Sequence, residues 1–184
     1  LDDVASGAKL ATFAGLEHGF TVHDGKLSGH AVLIPAAMEA DVIVVAAKDG
    51  EANVVVMVEG SNCERTALHG LGLNSAACGK VVCDGVAVTG LASADSANLA
   101  IGRAELAAWL GVAAASVGGG LGSISASEKH AGERIAFGKP LLAQQAVQRK
   151  LVECNRALAG ARQLTWHAAR LRDLGRSANE PAMH

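Results

Sequence analysis

The chain has 184 residues, 50% of them hydrophobic and only 18% charged, with 22 glycines and a formal net charge of −2. So even a charge balance excludes a nucleic-acid or membrane-surface protein, and the apolar fraction excludes intrinsic disorder as the default state. With 3 Phe, 2 Trp and no Tyr, stacking platforms for bases or sugars are excluded too, so the core must come from Ala, Val, Leu and Ile.

From Phe20 to Val88, short β-rich runs alternate with turn signals. They are Phe20–His23 before Asp24-Gly25, Leu27–Ile34, Asp41–Ala47 before Asp49-Gly50, Asn53–Val58 before Gly60, and Lys80–Val88, with Arg65–Leu68 as a further short strand. Asp-Gly between apolar runs predicts hairpins, because both central positions accept a positive φ. Strands this frequent, with no helix between them, predict an antiparallel barrel or sandwich.

From Ser93 the period becomes helical. Ser93, Asp95 and Ser96 offer N-caps, and an Ala-rich helix is expected to run to about Arg134. Leu106 to Ala126 carries no charge and is long enough to span a bilayer, but it is mostly Ala, Gly and Ser. Small residues suit close contact between helices, so a buried bundle helix is expected there rather than a membrane span. Gly118 to Gly122 follows no strand and precedes no Lys-Ser/Thr, so it reads as a helix contact and not a phosphate loop.

Phe137-Gly138-Lys139-Pro140 breaks the helix, and Pro140 suits the first turn of a second one. In that helix Val147, Leu151, Cys154, Leu158, Ala161, Thr165 and Ala168 recur at steps of four and three, a coiled-coil-like seam. Arg170, Arg172 and Gly175 mark its end, and the remainder through Pro181 reads as a loop. The expected division is residues 1–92 for the β-domain and residues 93–184 for a partial helical bundle. Two long antiparallel helices cannot bury both their faces alone, so further helices or a partner are implied.

Cys63, Cys78, Cys83 and Cys154 contain no C-x-x-C pair, so no metal site is expected. They read as buried free thiols in a reducing compartment. No basic segment followed by an apolar stretch opens the chain, and a cytoplasmic location is expected. Glu17-His18 and His23-Asp24 read as surface turn residues rather than acid–base pairs.

The residues become specific at the helix–helix corner. Glu133-Arg134-Ile135-Ala136-Phe137-Gly138-Lys139-Pro140, followed by Gln145-Ala146-Val147-Gln148, resembles the Arg-x-x-Phe-Gly-x-Pro stretch of the acyl-CoA dehydrogenase family. Ala161–Thr165 and Arg170–Gly175 are similar to the same helix of that family. Gly70-Leu71-Gly72-Leu73 and Val81–Val88 are similar to the end of its middle β-domain, and Ala5–Ala14 to the segment leading into it. The resemblance implies an α+β chain, a middle β-barrel followed by the first two long helices of a bundle. It implies an FAD-dependent oxidoreductase of acyl-CoA thioesters, of the kind used in fatty acid β-oxidation. It further implies a dimer of dimers, formed with itself or a homologous subunit. By the same resemblance Arg134, Ala136, Phe137 and Gln145 reach FAD held mainly by a neighbouring subunit. The residue types suit this: Arg pairs bidentately with a diphosphate, Phe offers a flat apolar face, and Gln carries donor and acceptor together.

Two departures from the family pattern stand out. The segment after Ala14 reads Gly15-Leu16-Glu17-His18-Gly19-Phe20, without the family's Thr-Glu and Gly-Ser-Asp. The family's Trp-Ile-Thr flavin wall corresponds to Leu33-Ile34-Pro35, where Leu33 cannot stack as an indole does and Pro35 has no hydroxyl or N–H. α,β-Dehydrogenation also needs a carboxylate base. Some relatives place it at the position of Ala108, and Glu105, one turn earlier, is the weak candidate here. The alternative expectation is a catalytically inactive assembly subunit, because bacterial members of the family pair a catalytic with a degenerate subunit.

Overall fold

The computed structural model describes residues 2–72 and 74–175. Leu73 and the loop expected through Pro181 lie outside the described residues. The elements are α1 (Asp2–Ala5), β1 (Ala11–Ala14), β2 (Thr21–His23), β3 (Lys26–Ile34), β4 (Val42–Asp49), β5 (Ala52–Glu59), β6 (Glu64–Ala67), β7 (Gly79–Ala87), β8 (Gly90–Ser93), α2 (Ala94–Glu133), β9 (Ile135–Ala136), β10 (Lys139–Pro140) and α3 (Gln145–Asp173). Chain contacts divide them into two compact units, Leu1–Arg103 and Ala104–His184.

The first unit is built on an 8-stranded sheet ordered β6-β7-β3-β2-β4-β5-β8, with β1 beside β4. An antiparallel barrel or sandwich was the expectation, and the sheet corrects it: the ladder is mixed and does not close on itself. β1 runs parallel to β4 from Ala11↔Val42 to Ala14↔Val45, and β2 meets β4 in parallel at Thr21↔Lys48. These contacts arise because the short β2–β3 excursion returns the chain to β4 in the direction of β1. β4 therefore lies inside the sheet, and Ile43, Val45, Ala46 and Ala47 are all buried, the near-continuous apolar run of a strand with parallel neighbours.

The first Asp-Gly turn forms as expected. His23 pairs with Lys26, and the two central residues, Asp24 and Gly25, have φ of 49° and 70°. The second is displaced by one residue: Asp49 pairs with Ala52, so Gly50, at φ 58°, takes the first central position and Glu51 the second. Glycine in that first position is the type II′ arrangement rather than type I′.

Phe20, Leu27, Ile43, Val45, Val56, Val58 and Val81 form the fully buried centre. Each such side chain contributes roughly 1.5–3 kcal/mol of burial. Gly29 fixes where β3 crosses Phe20. It has φ +142°, and a Cβ there would lie 2.7 Å from Phe20 Cδ1 and 3.0 Å from Phe20 Cα.

In the second unit α2 and α3 pack antiparallel. Leu110 and Ala168 form a small core with Leu106, Ala169 and Leu171. Further along, Gly120 faces Leu158, and Asn155 Nδ2 donates to Glu128 Oε1 at 3.2 Å. The sheltered positions of α2 step as Leu106, Leu110, Ala113, Val117, Gly120 and Ile124, and α3 answers with the expected seam. Cys154 is the exception, because it is exposed. Of the glycines at 118, 119, 120 and 122, only Gly120 lies against a neighbour.

Leu106–Ala126 was expected to be buried, and the structure corrects this: within it only Leu110 and Ile124 are buried. A single neighbouring helix covers a single stripe. Trp109 (40% exposed), Val112 (67%) and Trp166 (55%) are left in solvent. The helix Asp95–Glu133 is long and apolar enough to cross a membrane by length and composition. α3 ends as its sequence suggests, with Gly175 at φ +67° and its N–H donating to Arg172 O at 3.0 Å.

Candidate functional site at the helix corner

The candidate residues that are contiguous in sequence are drawn into one tight corner. Arg134 N–H donates to His130 O at 2.9 Å, completing the last turn of α2, and Arg134 O accepts from Leu141 N–H at 2.9 Å. Between those two bonds β9 and β10 form a miniature hairpin with Ile135↔Pro140 and Ala136↔Lys139 in register. Its two central residues are Phe137, φ 55°, and Gly138, φ 77°. Positive φ at both positions is the type I′ arrangement, which glycine accepts freely. Phenylalanine does so at a cost of about 1–2 kcal/mol. The Phe137 ring gains no burial in return, since it is 95% exposed.

Pro140 was expected in the first turn of the second helix, and its place corrects that. It ends β10 in an extended conformation, φ −55° and ψ 145°, and caps a short 3-10 turn, Leu141–Ala143. α3 starts instead at Gln145, with Gln144 O accepting the N–H of Val147 and of Gln148, each at 3.0 Å. The hairpin takes the residues that an immediate helix would have used.

The corner thus places Arg134, Phe137 and Gln145 at an exposed bend, with Ala136 half-buried beneath it. The ion pairs among the described residues are His18–Glu17, His23–Asp24 and Arg149–Glu153, so none engages Arg134. An unengaged guanidinium, an exposed aromatic ring and the positive end of a 29-residue helix suit a nucleotide diphosphate. These residues fit the pyrophosphate end of FAD.

Glu105 stands elsewhere. α2 begins at Ala94, so Glu105 lies well beyond the first turn, where the helix dipole would favour a carboxylate. At ~1.5 Å of rise per residue it is roughly 40 Å along α2 from Arg134. It is half-buried and Ala108, three residues on along the same helix, is exposed.

The stretch matched to a flavin wall carries its own strain. Leu33 has φ 62° and is 67% exposed, and Ala36 has φ 53°. The β3–β7 register shifts between Ala31 and Ile34. Several bonds hold this segment. Thr12 Oγ1 donates to Pro35 O at 2.6 Å, and Ala36 N–H to Ala76 O at 2.7 Å. Arg65 Nη1 reaches Ala37 O, Met38 O and Ala40 O at 3.1, 3.2 and 3.0 Å. Sequence reasoning placed Arg65 in a short strand but missed this role, because its partners are backbone carbonyls that no side-chain pattern marks. It also missed the left-handed Phe137, although Phe-Gly between two short extended pairs was a usable signal.

Two clefts lie apart from the corner. One of about 210 Å³ is lined by Asp3, Lys9, Val44, Met57 and Glu59 among others. The other, about 280 Å³, lies between α2 and α3 beside Trp166, over whose ring Arg162 sits at 4.3 Å. His23 and Asp24 are almost fully solvated, 3.4 Å apart.

The chain matches the family model for the acyl-CoA dehydrogenase C-terminal domain over residues 89–184. It is 42% identical over 64 residues to the mitochondrial short-chain specific acyl-CoA dehydrogenase of Rattus norvegicus, covering 35% of this chain and 16% of that protein. The fold is similar to butyryl-CoA dehydrogenase from Megasphaera elsdenii, with TM-score 0.83 and 20% identity over 98% of this chain and 54% of that one. It is also similar to a glutaryl-CoA dehydrogenase from Mycobacterium smegmatis solved with FADH2, with TM-score 0.79 and 22% identity over 98% and 51%. The chain therefore spans about half the length of these solved structures, and its 64-residue match covers 16% of the rat protein.

Proposed function

The chain belongs to the acyl-CoA dehydrogenase family, and from that premise we propose that it forms part of a flavin-dependent enzyme that α,β-dehydrogenates an acyl-CoA thioester. The observation that carries this reading is the exposed, left-handed Phe137 beside an unengaged Arg134. FAD, when bound, supplies the acceptor for the hydride leaving the thioester's β-carbon. Arg134 would hold the diphosphate, because its guanidinium is a bidentate donor suited to phosphate oxygens. Phe137 would offer its exposed flat face to the cofactor and keep water from that side. Gln145 offers its amide to the nucleotide, and the N-terminus of α3 favours the anion. The cofactor so held belongs to a neighbouring subunit, either a second copy or a homologue, in a dimer of dimers. Glu105 remains the proposed base, acting at a different end of α2 from the corner.

A second reading is favoured by the stretch from Leu33 to Pro35. Leu33 is exposed without an aromatic ring, and Pro35 contributes only a carbonyl, which Thr12 already uses. On this reading the chain is a non-catalytic subunit that completes its partner's FAD site.

The test is FAD titration of the full chain assembled with a homologous subunit, comparing wild type with Arg134→Ala. A charge-assisted bond contributes about 1.5–3 kcal/mol, so affinity should fall roughly ten- to a hundredfold. Equal affinities would reduce Arg134 to a helix-end residue. Visible flavin absorbance with turnover of an acyl-CoA favours the catalytic reading, and bound flavin without turnover favours the second.

A further inference from the structure

Two of the four cysteines meet inside the sheet. The β6–β7 ladder pairs Glu64 with Val82, Arg65 with Val81 and Thr66 with Lys80, so one step back along the same register sets Cys63 opposite Cys83. Their sulfurs are 3.3 Å apart. Both residues are buried, Cys63 at 8% and Cys83 at 2% exposure, whereas Cys78 is half-buried and Cys154 exposed. The expectation that all four thiols are buried is therefore corrected, and the buried two are not isolated from each other. Cys63 N–H donates to Gly60 O at 3.3 Å, not across the ladder. Directly opposed residues that do not exchange ladder bonds stand about 4.5 Å apart at Cα, inside the range a disulfide spans.

We propose that Cys63 and Cys83 form a reversible disulfide within the folded chain, which makes the start of β6 an oxidation site for a peroxide. The two thiols are not equivalent. The hydrogen bond from Cys83 stabilises the Cys63 thiolate, and the Arg65 cation adds to this against the opposing effect of burial, so the Cys63 thiol is pushed down. The same bond, burial and the Cys63 charge push the Cys83 thiol up. Cys63 is thus the attacking sulfur and Cys83 the resolving one. Cys63 Sγ attacks one peroxide oxygen, the O–O bond breaks, and the departing hydroxide leaves as water after taking a proton. The Cys63 sulfenic acid remains. Cys83 Sγ then attacks that sulfur, the S–O bond breaks, and the leaving hydroxide takes the Cys83 proton as a second water. Two thiols and one peroxide give one disulfide and two waters.

The full chain is treated with hydrogen peroxide, alkylated, digested without reductant and analysed by mass spectrometry. The expected product is a Cys63–Cys83 linked peptide that dithiothreitol separates, with Cys78 and Cys154 alkylated. Linkage should be at least about tenfold faster in the folded chain than in urea, because the register presets the geometry. The variant Cys154→Ser should link equally well, and in Cys83→Ala a sulfenic-acid probe should label Cys63. Cys63 and Cys83 still alkylatable after oxidation, or Cys63 linked to Cys78 instead, would overturn the proposal. The wild-type peptide decides the matter even if Cys83→Ala does not fold.

Discussion

Phe137 is the residue at which local stability and use pull apart. Its backbone sits at φ 55°, its ring is 95% exposed, and the next residue is already glycine. Asn-Gly is the pair a type I′ turn prefers. We expect Phe137→Asn to stabilise the chain by about 1 kcal/mol, seen as a higher midpoint in thermal unfolding, while FAD binding by the assembled protein weakens. A lower midpoint would mean that the ring supports the fold. Gly29→Ala should act in the opposite direction. Its Cβ would meet the Cα of buried Phe20 at a φ that L side chains rarely adopt, and overpacking of this sort costs typically 1–3 kcal/mol, read as a lower denaturant midpoint. At this scale the sequence was legible where residues act as neighbours in the chain. Arg134, Ala136, Phe137 and Gln145 come together because the bend is short, so a linear motif could carry them. Arg65 was not legible, since its use depends on where the carbonyls of residues 37, 38 and 40 come to lie.

Elements were legible where periodicity or turn chemistry marks them. The α3 seam came through because sheltered positions repeat at steps of three and four, and β2–β3 because Asp24-Gly25 permits positive φ twice. β1 and β8 have four residues each and no alternation, and their pairing with β4 and β5 comes from distant chain. The same physics separates members within the seam. Leu158 packs on Gly120, so Leu158→Ala should cost roughly 1–2 kcal/mol, the low end for a leucine that is only partly enclosed. Cys154 faces solvent, so Cys154→Ala should stay within about 0.5 kcal/mol. Urea unfolding of the full chain followed by far-ultraviolet circular dichroism compares the two. Equal costs would mean that the sequence seam, not the observed stripe, is the true contact.

For the whole molecule, the helical unit exposes more apolar surface than a lone pair of helices should leave to water. Trp109, Val112, Val152, Leu164 and Trp166 are all at least 40% exposed, an apolar load that association with another chain would cover. We expect the intact chain to sediment as a dimer or larger at micromolar concentration, and Val112→Glu with Trp166→Glu to shift it towards monomer while helicity is kept. A monomeric wild type at that concentration would refute the expectation.

The order of strands also sets a timetable for folding. β3 takes β7 as its second neighbour, yet β4, β5 and β6 are all made before β7. Such non-local closure is slow compared with the adjacent β4–β5 pairing. Until Gly79–Ala87 arrives, one side of β3 is an open edge, the sort of surface on which chains pair wrongly. The register shift between Ala31 and Ile34 puts its extra residue in β3 and interrupts that edge, whereas the shift between Leu27 and Gly29 puts its extra residue in β7. A bulged edge twists away from regular pairing. The irregularity that positions Leu33 in the finished sheet thus also shields the nascent strand from other copies while it waits for its partner.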